Sequence, residues 1–281
     1  MSVDLHTHST ASDGTDAPGD IVSRAIAAGL HGVALTDHDT QAGIPAAAAR
    51  AAGTGIEFVP GIELSIEWPS GTFHLLVYHL SPGPGPLQDR LAVLQQARTD
   101  RNHRIVRSLQ ELGVSIEYAE VEREAGGGRV GRPHIAAILV RKAVVPDIPA
   151  AFDRLLAEGR PAYHGRERLD PATAIAAARA SRAVPVLAHP HTLGQARSQL
   201  IETLRELAGM GLAGLEAYYA EYRPEVRSAL ADLARNMGLI ATGGSDYHGA
   251  YKPGLRLGVG YGDLAVPDQA LAALRLARER Q

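Results

Sequence analysis

The stretch Val33-Ala34-Leu35-Thr36-Asp37-His38-Asp39 joins a short apolar run to a group of acidic and imidazole side chains. A helical pattern from about residue 18 to 28 precedes it, and another from about 43 to 52 follows it. Short aliphatic runs that alternate with helical patterns predict a mostly parallel sheet whose strands are joined by helices, as a barrel or a doubly wound sheet. The fold class predicted from this stretch is therefore α/β.

The same alternation returns in the last third of the chain, whereas the middle breaks it. Helical patterns precede three further apolar runs, at 184–188, 214–218 and 239–242. Residues 86–164 show helical periodicity with almost no strand signal, and the segment Pro82-Gly83-Pro84-Gly85-Pro86 introduces them. We therefore predict a core domain of residues 1–85 and 165–281, and an inserted helical domain, 86–164, in which Gly126-Gly127-Gly128 is flexible.

The 281 residues have an ordinary globular composition, with 45% hydrophobic and 21% charged residues and a net charge of −3. That charge argues against a basic surface for duplex nucleic acid. The absence of cysteine excludes disulfides, thiolate metal sites and cysteine nucleophiles. No apolar stretch approaches the ~20 residues of a membrane span, and no secretory signal is visible. A cytoplasmic protein without a membrane partner is therefore expected.

Acidic and imidazole side chains follow the predicted strands, and loops at the carboxyl ends of parallel strands converge on one face. Nine of these side chains are candidate metal ligands: His6, His8, Asp13, His38, Glu63, His74, His189, Asp246 and His248. Nitrogen and oxygen donors without a thiolate suit Mn²⁺, Fe²⁺, Zn²⁺ or Mg²⁺. Nine ligands are too many for one ion, so we predict two to three divalent ions with Glu63 as the bridge. Such a cluster lowers the pKa of bound water and neutralises charge on a phosphoryl group.

Each of these residues also has a purely structural interpretation. A single His-x-His pair is weak evidence for a metal, and any one histidine can be a hydrogen-bonded core residue. An aspartate at a strand end, such as Asp39, is often a helix cap. The metal interpretation depends on all nine residues occurring together.

Five segments contain most of these candidate ligands: Val3-Asp4-Leu5-His6-Thr7-His8-Ser9, Thr36-Asp37-His38-Asp39, Pro60-Gly61-Ile62-Glu63, Ala188-His189-Pro190 and Gly244-Ser245-Asp246-Tyr247-His248. Together they resemble the motifs of the polymerase and histidinol phosphatase (PHP) family. The resemblance, from residue 3 to about 260, implies a distorted (βα)₇ barrel with a trinuclear metal site, for which manganese is the favoured ion. It implies three ligand sets: His6, His8, Glu63 and Asp246; Asp13, His38 and His248; and Glu63, His74 and His189.

Within the predicted insertion, Gly131-Arg132-Pro133-His134 is similar to the phosphate-gripping element of 3′,5′-nucleoside bisphosphate phosphatases in this family. A guanidinium can bind phosphate through two hydrogen bonds, and a helix that starts at Pro133 would add amide donors. Arg132 and His134 are therefore expected to bind substrate, and Tyr163 and Lys252 are further candidates. The arginines between 98 and 107 are interpreted as a solvated helix face, with a groove that binds a nucleic-acid strand as the alternative.

The resemblance implies a metal-dependent phosphoesterase that removes the 3′-phosphate of nucleoside 3′,5′-bisphosphates and leaves 5′-nucleotides. The alternative is a 5′→3′ exoribonuclease acting on short 5′-phosphorylated RNA. A histidinol-phosphate phosphatase and a non-catalytic metal-binding module are further alternatives. The candidates for catalytic proton transfer are Asp246 and His191. The expected partner is a small phosphorylated nucleotide or a short RNA.

Overall fold

One mixed sheet organises the protein in a computed structural model that describes residues 2–126, 130–165 and 167–281. Within those residues its strands are β1 (Ser2–Asp4), β2 (Gly32–Leu35), β3 (Glu57–Ile66), β4 (Phe73–Tyr78), β5 (Val184–Leu187), β6 (Gly214–Tyr219), β7 (Ile240–Gly244) and β8 (Val266–Pro267). Their order is β7-β6-β5-β4-β3-β2-β1-β8. The predicted α/β class is confirmed.

Helices connect most of these strands. They are α1 (Pro18–Ala27), α2 (Ile44–Ala51), α3 (Pro86–Glu111), α4 (Tyr118–Glu124), α5 (Arg132–Arg141), α6 (Ile148–Ala151), α7 (Pro171–Ala180), α8 (Arg197–Met210), α9 (Pro224–Asn236) and α10 (Asp268–Glu279). A π-helical turn, Phe152–Leu156, continues α6, and a 3₁₀ turn, Pro190–Leu193, follows β5. Among the described helices, none is long and apolar enough to cross a membrane.

The sheet nearly closes into a distorted barrel because the segments after β1 and β7 pair with each other. The amide of Leu5 donates to the carbonyl of Gly243 at 3.1 Å, and the amide of Asp246 donates to the carbonyl of His6 at 2.8 Å. A β-carbon on Gly244 would lie 2.3 Å from the amide nitrogen of His6. Glycine is therefore needed where these strand ends meet, and the residues after both strands are held side by side.

The prediction of a mostly parallel sheet is wrong for β4, which runs antiparallel to both β3 and β5. β8 also pairs antiparallel with β1, whereas the remaining neighbours are parallel. The reversal has a consequence for the site. His74, near the start of β4, pairs with Ser65 near the end of β3, so it lies at the same end as the ligands that follow the parallel strands.

Aliphatic and alanine side chains fill the core on both sides of the sheet. Val3, Val33 and Leu271 belong to one buried cluster, and Leu64 and Ala178 belong to another. Burying a leucine or valine side chain contributes roughly 1.5–3 kcal/mol. These clusters provide the rigid base on which the loops at the carboxyl end of the sheet are mounted.

The chain divides into two compact units, one of residues up to Leu91 together with Arg168–Gln281, and the other of Ala92–Glu167. α3 starts at the predicted boundary, Pro86, but the two units divide within this helix, between Leu91 and Ala92. The beginning of α3 therefore belongs to the first unit. The second unit has its own apolar core, which includes Ile105 and Leu139. Gly127 and Gly128, which we predicted to be flexible, lie outside the described residues.

Candidate metal centre

The nine predicted ligands meet at the carboxyl end of the sheet. They come from the loops after β1, β2, β5 and β7, from β3 itself and from the start of β4. Their ligand atoms form three groups, each spanning no more than 4.8 Å: His6, His8, Glu63 and Asp246; His8, Asp13, His38 and His248; and His38, Glu63 and His74. His189 joins through Glu63, so all nine belong to one cluster.

Glu63 occupies the centre of this cluster and is 1% exposed. Its Oε1 lies 2.9 Å from Nδ1 of His74 and 2.9 Å from Nε2 of His189. Its Oε2 lies within 3.3 Å of a ring nitrogen of three further histidines, His6, His8 and His38. A carboxylate in contact with five imidazoles through both oxygens has the geometry of a bridging ligand.

The groups differ from the sets implied by the family resemblance at three residues: His8 and His38 each belong to an additional group, and His189 belongs to none of the three. The group around Asp13 also includes His8, whose Nδ1 lies 3.5 Å from Oδ1 of Asp13. His38 belongs to two groups, because its Nδ1 faces Glu63 at 3.3 Å while its Nε2 lies 3.7 Å from Asp13. The group of His6, His8, Glu63 and Asp246 is the one that the resemblance implies.

The charges of the cluster depend on one another. Burial disfavours ionised carboxyls, yet the surrounding imidazoles hold the pKa values of Glu63 and Asp246 well below their usual range. Burial also disfavours charged imidazoles, but the carboxylates of Asp246 and Glu63 beside it raise the pKa of His8 to about 10. At His38 burial prevails and lowers the pKa to about 3. The cluster therefore gathers negative charge that requires positive charge beside it.

Divalent ions fit this arrangement. Four of the histidines have ring nitrogens that are buried without a hydrogen-bond partner among the described residues: Nε2 of His6, both nitrogens of His8, and Nδ1 of His38 and of His74. Buried polar atoms in proteins nearly always have a partner. Unpartnered nitrogens grouped with carboxylate oxygens are a ligand set for a hard or borderline divalent cation.

A buried glutamate that the sequence analysis missed, Glu216 on β6, orients two of the ligands. Its Oε1 accepts a hydrogen bond from Nδ1 of His6 at 2.9 Å, and its Oε2 accepts one from the amide of His189 at 2.8 Å. His189 has a left-handed φ of 21°, which is strained for a non-glycine residue. Glu216 therefore fixes the ring of one ligand and the strained backbone of another. The signal in the sequence that could have identified Glu216 is its position as the one charged residue in the apolar run 214–218.

Two further aspartates hold the loops that carry the ligands. Asp4 accepts from the hydroxyl of Ser245 at 2.6 Å and from the amide of Gly258 at 2.7 Å. Asp37 accepts from the amide and from the hydroxyl of Ser9, both at 2.7 Å. These bonds fix the segments next to His6, His8, His38 and Asp246.

The two candidates for proton transfer have different surroundings. Oδ1 of Asp246 faces the ligand histidines, and its Oδ2 accepts from the hydroxyl of Tyr219 at 3.0 Å and from Nζ of Lys252 at 2.5 Å. Its low pKa keeps it a carboxylate at neutral pH, which suits a cation ligand rather than a proton donor. Lys252, predicted to bind substrate, lies in this same group of contacts.

His191 lies on the 3₁₀ turn after β5 and contacts Tyr222. The Tyr222 oxygen accepts from the amide of His191 at 3.1 Å and lies 2.8 Å from its Nδ1. A tyrosine oxygen that accepts from the amide can donate its own hydrogen to Nδ1, which places the imidazole proton on Nε2. Burial, reinforced by His189, lowers the pKa of His191, so the ring is a neutral donor.

The remaining predicted substrate residues lie in the second unit. Arg132 begins α5, and its guanidinium lies 5.7 Å from the ring centroids of both Phe152 and Tyr163. Its Nη1 also donates to the carbonyl of Leu156 at 3.1 Å. Nδ1 of His134 accepts from the amide of Gly131 at 3.0 Å, so this ring caps the helix as well.

The interpretation of residues 98–107 as a solvated face is wrong for Arg101, which is 5% exposed. Its guanidinium donates to the side-chain oxygen of Asn102, and no carboxylate pairs with it in the described ranges. Burial, together with Arg98, Arg132 and Arg104, lowers the pKa of Arg101 to about 10. The second unit therefore concentrates positive charge around a buried arginine.

Comparison with known proteins identifies the family. The model of the PHP domain matches residues 4–175. The chain belongs to the PHP family. This PHP protein is 32% identical over 251 residues to a 5′-3′ exoribonuclease of Haemophilus influenzae, covering 87% of this chain and 89% of that relative.

Two further similarities agree with this assignment. The protein is 29% identical over 258 residues to a 3′,5′-nucleoside bisphosphate phosphatase of Chromobacterium violaceum, covering 92% of this chain and 90% of that one. A structure assigned to a metal-dependent phosphoesterase of Bifidobacterium adolescentis matches with a TM-score of 0.80 and 30% identity, covering 98% of this chain and 96% of the other. The PHP protein is therefore a metal-dependent phosphoesterase, a hydrolase.

Proposed function

We propose that this enzyme hydrolyses the bond between phosphorus and the 3′-oxygen of a 5′-phosphorylated nucleoside, with nucleoside 3′,5′-bisphosphates as preferred substrates. The observation that carries the proposal is Glu63, whose two oxygens contact five imidazoles, several with unpartnered nitrogens. Such a centre suits a phosphoryl group, whose negative oxygens need concentrated positive charge.

The names of the two relatives are compatible with a single chemistry. Hydrolysis of a nucleoside 3′,5′-bisphosphate at its 3′-phosphate breaks a bond between phosphorus and the 3′-oxygen. A 5′→3′ exoribonuclease that releases 5′-nucleotides breaks the same bond, and its phosphorus carries a further nucleoside. The two activities therefore differ only in what else is attached to the phosphorus.

The nine clustered residues would hold the divalent ions: His6, His8, Asp13, His38, Glu63, His74, His189, Asp246 and His248. When bound, such ions lower the pKa of water and neutralise charge on the phosphoryl group. Glu216 keeps His6 with its proton on Nδ1, which leaves Nε2 as the ligand atom. Lys252 and Tyr219 hold Oδ2 of Asp246 so that Oδ1 faces the cluster.

His191 would act on the substrate directly. With Nδ1 engaged by Tyr222, its Nε2–H is free to donate a hydrogen bond. We place this donor at the 3′-oxygen, where negative charge grows as its bond to phosphorus breaks and where the proton is taken up.

The second unit supplies the residue types that a second phosphate requires. Arg132 can form two parallel hydrogen bonds to a phosphate, and its guanidinium lies within cation–π distance of the rings of Phe152 and Tyr163. Arg101 adds a buried positive charge nearby, without a carboxylate to neutralise it in the described ranges. This charge favours a substrate with a 5′-phosphate over a monophosphate ester such as histidinol phosphate.

The test is product analysis after incubation with adenosine 3′,5′-bisphosphate and Mn²⁺. We expect adenosine 5′-monophosphate and one equivalent of inorganic phosphate, and loss of both products in the His74→Ala variant. Formation of adenosine 3′-monophosphate would contradict the assigned bond. An enzyme that is inactive on the bisphosphate but releases 5′-nucleotides from 5′-phosphorylated RNA would establish the exoribonuclease instead.

A further inference from the structure

A pocket of 360 Å³ lies in the first unit next to His191. His191 and Tyr222 form one wall, and α8 and α9 form the others through Leu200, Val226 and Leu230. His191 also lies beside the metal centre, since its ring centroid lies 6.1 Å from that of His189 and 5.6 Å from that of Tyr219. The same side chain therefore lines the pocket and contacts a candidate metal ligand.

The chemistry of the pocket favours a flat, uncharged ring. Most of its lining is aliphatic, and the two charged residues that line it, Arg197 and Glu225, have opposite signs. Such a lining gives a phosphate no net positive charge to bind.

Gln195, which lines the pocket, has a side-chain oxygen that could accept a hydrogen bond from a ligand. The side-chain oxygen of Gln195 is buried and has no hydrogen-bond partner in the part of the chain that the structure describes. A buried acceptor without a partner is costly unless a ligand supplies the donor. The exocyclic amine or ring N–H of a nucleobase is such a donor, on a ring that also suits aliphatic walls.

We propose that this pocket binds a nucleobase of the substrate, with Gln195 as the acceptor for its N–H groups. The inference rests on the proposed function, because it requires a nucleotide whose phosphate lies at the metal centre. The base comes from one of two sources. It belongs to the nucleoside that carries the 5′-phosphate, or it belongs to the next nucleoside of an oligonucleotide.

The test fills the pocket from the side away from the metal centre. Ala229 lines the pocket on α9, and Ser228 next to it is exposed and outside the lining, so Ala229→Phe and Ser228→Phe form a matched pair. Binding is followed by the fluorescence of 2-aminopurine in its riboside 3′,5′-bisphosphate and in the second position of a 5′-phosphorylated dinucleotide. Both measurements use the metal-loaded protein and probes in which a methylene group replaces the scissile 3′-oxygen, so they do not depend on turnover.

We expect Ala229→Phe to weaken binding of at least one of these probes about tenfold, in line with the contribution of one base contact. Ser228→Phe should change neither. A loss confined to the dinucleotide assigns the pocket to the second base, and a loss with the bisphosphate assigns it to the first. Unchanged binding of both probes by Ala229→Phe overturns the proposal.

A base-free substrate separates the pocket from general damage to the protein. KM for ribose 3,5-bisphosphate should be the same in Ala229→Phe as in the wild type, and an equal loss with and without a base overturns the assignment. Failure of the proposed function gives a different result. In that case the wild type would still bind the fluorescent probes, and Ala229→Phe would still bind them more weakly. The wild type would release no phosphate from any of these substrates.

Discussion

Nδ1 of His6 donates a hydrogen bond to Oε1 of Glu216 at 2.9 Å, between residues 210 positions apart in the sequence. Both side chains are fully buried. The bond selects one tautomer of the imidazole, with the proton on Nδ1, and it directs Nε2 toward Glu63 and Asp246. A residue that contacts none of the proposed ions thereby determines which atom of His6 can bind one.

Glu216→Gln should weaken metal binding by about ten- to a hundredfold. A glutamine offers one acceptor and one NH₂ group, so one of the two donors, His6 Nδ1 or the His189 amide, would face another donor. Metal content after dialysis and a calorimetric titration with Mn²⁺ provide the measurement. The exposed Glu206→Gln on α8 is the control and should keep the wild-type affinity. Equal affinities in the two variants would contradict the role of Glu216.

Divalent ions should stabilise the folded protein, because the unfolded chain cannot group the ligands. Free Mn²⁺ at a hundred times its dissociation constant should add about 2.7 kcal/mol to the free energy of unfolding. For a protein of this size that corresponds to a rise in Tm of roughly 5–10 °C. Thermal unfolding with EDTA and with Mn²⁺ measures it. The same Tm in both solutions would contradict a metal centre.

Arg132→Lys should raise KM for a nucleoside 3′,5′-bisphosphate about tenfold and leave kcat within about twofold, because lysine cannot form the paired hydrogen bonds of a guanidinium. Arg141→Lys, at the exposed end of the same helix, is the matched control. Steady-state kinetics on the bisphosphate separates the two constants. If the two variants share the wild-type KM, the second phosphate is bound elsewhere.

Because His79 is buried, we expect the free energy of unfolding to decrease in mild acid. It is 7% exposed, and burial, followed by Arg278 and Arg275, lowers its pKa to about 4. In the unfolded chain the pKa is near 6.5, so between pH 6.5 and 4 the unfolded state takes up a proton that the folded state does not. The stability that neutral His79 contributes is therefore complete above pH 6.5 and lost as the pH falls toward 4.

His79→Asn removes this titration and keeps a residue that tolerates the left-handed φ of 59°. Urea unfolding at pH 7, 5.5 and 4.5 measures the difference. The variant should lose less stability than the wild type over this range, by about 2 kcal/mol. Parallel losses in the two proteins would show that His79 does not titrate as described.

The sequence predicted which acidic and imidazole side chains lie close together, because these side chains follow a rule of position. His6, His38 and Asp246 stand just after apolar runs, and the carboxyl ends of parallel strands lie at one edge. Glu63 could be proposed as the bridge because it follows the third run. The α/β class followed from the same runs, whose lengths and spacing are local properties of the chain.

The features that the sequence did not predict depend on tertiary contacts. The apolar composition of β4 is compatible with either strand direction, so the sequence did not reveal that this strand is antiparallel to its neighbours. Glu216 lies inside a strand, and its partners, His6 and His189, lie in the segments that follow β1 and β5. Arg101 is an arginine like its exposed neighbours on α3, so its sequence context does not distinguish it from them. The packing of the second unit buries it.

The pairing of the segments after β1 and β7 has a consequence for the order of events during synthesis. His6 and His8 leave the ribosome first, and Asp246 and His248 follow about 240 residues later, after the whole inserted unit. During that interval the nascent chain carries His6 and His8 without Asp246, the carboxylate that completes their group with Glu63. The full ligand set therefore exists only after residues 246–248 have been synthesised, so the emerging segment of residues 6–8 cannot assemble the centre by itself.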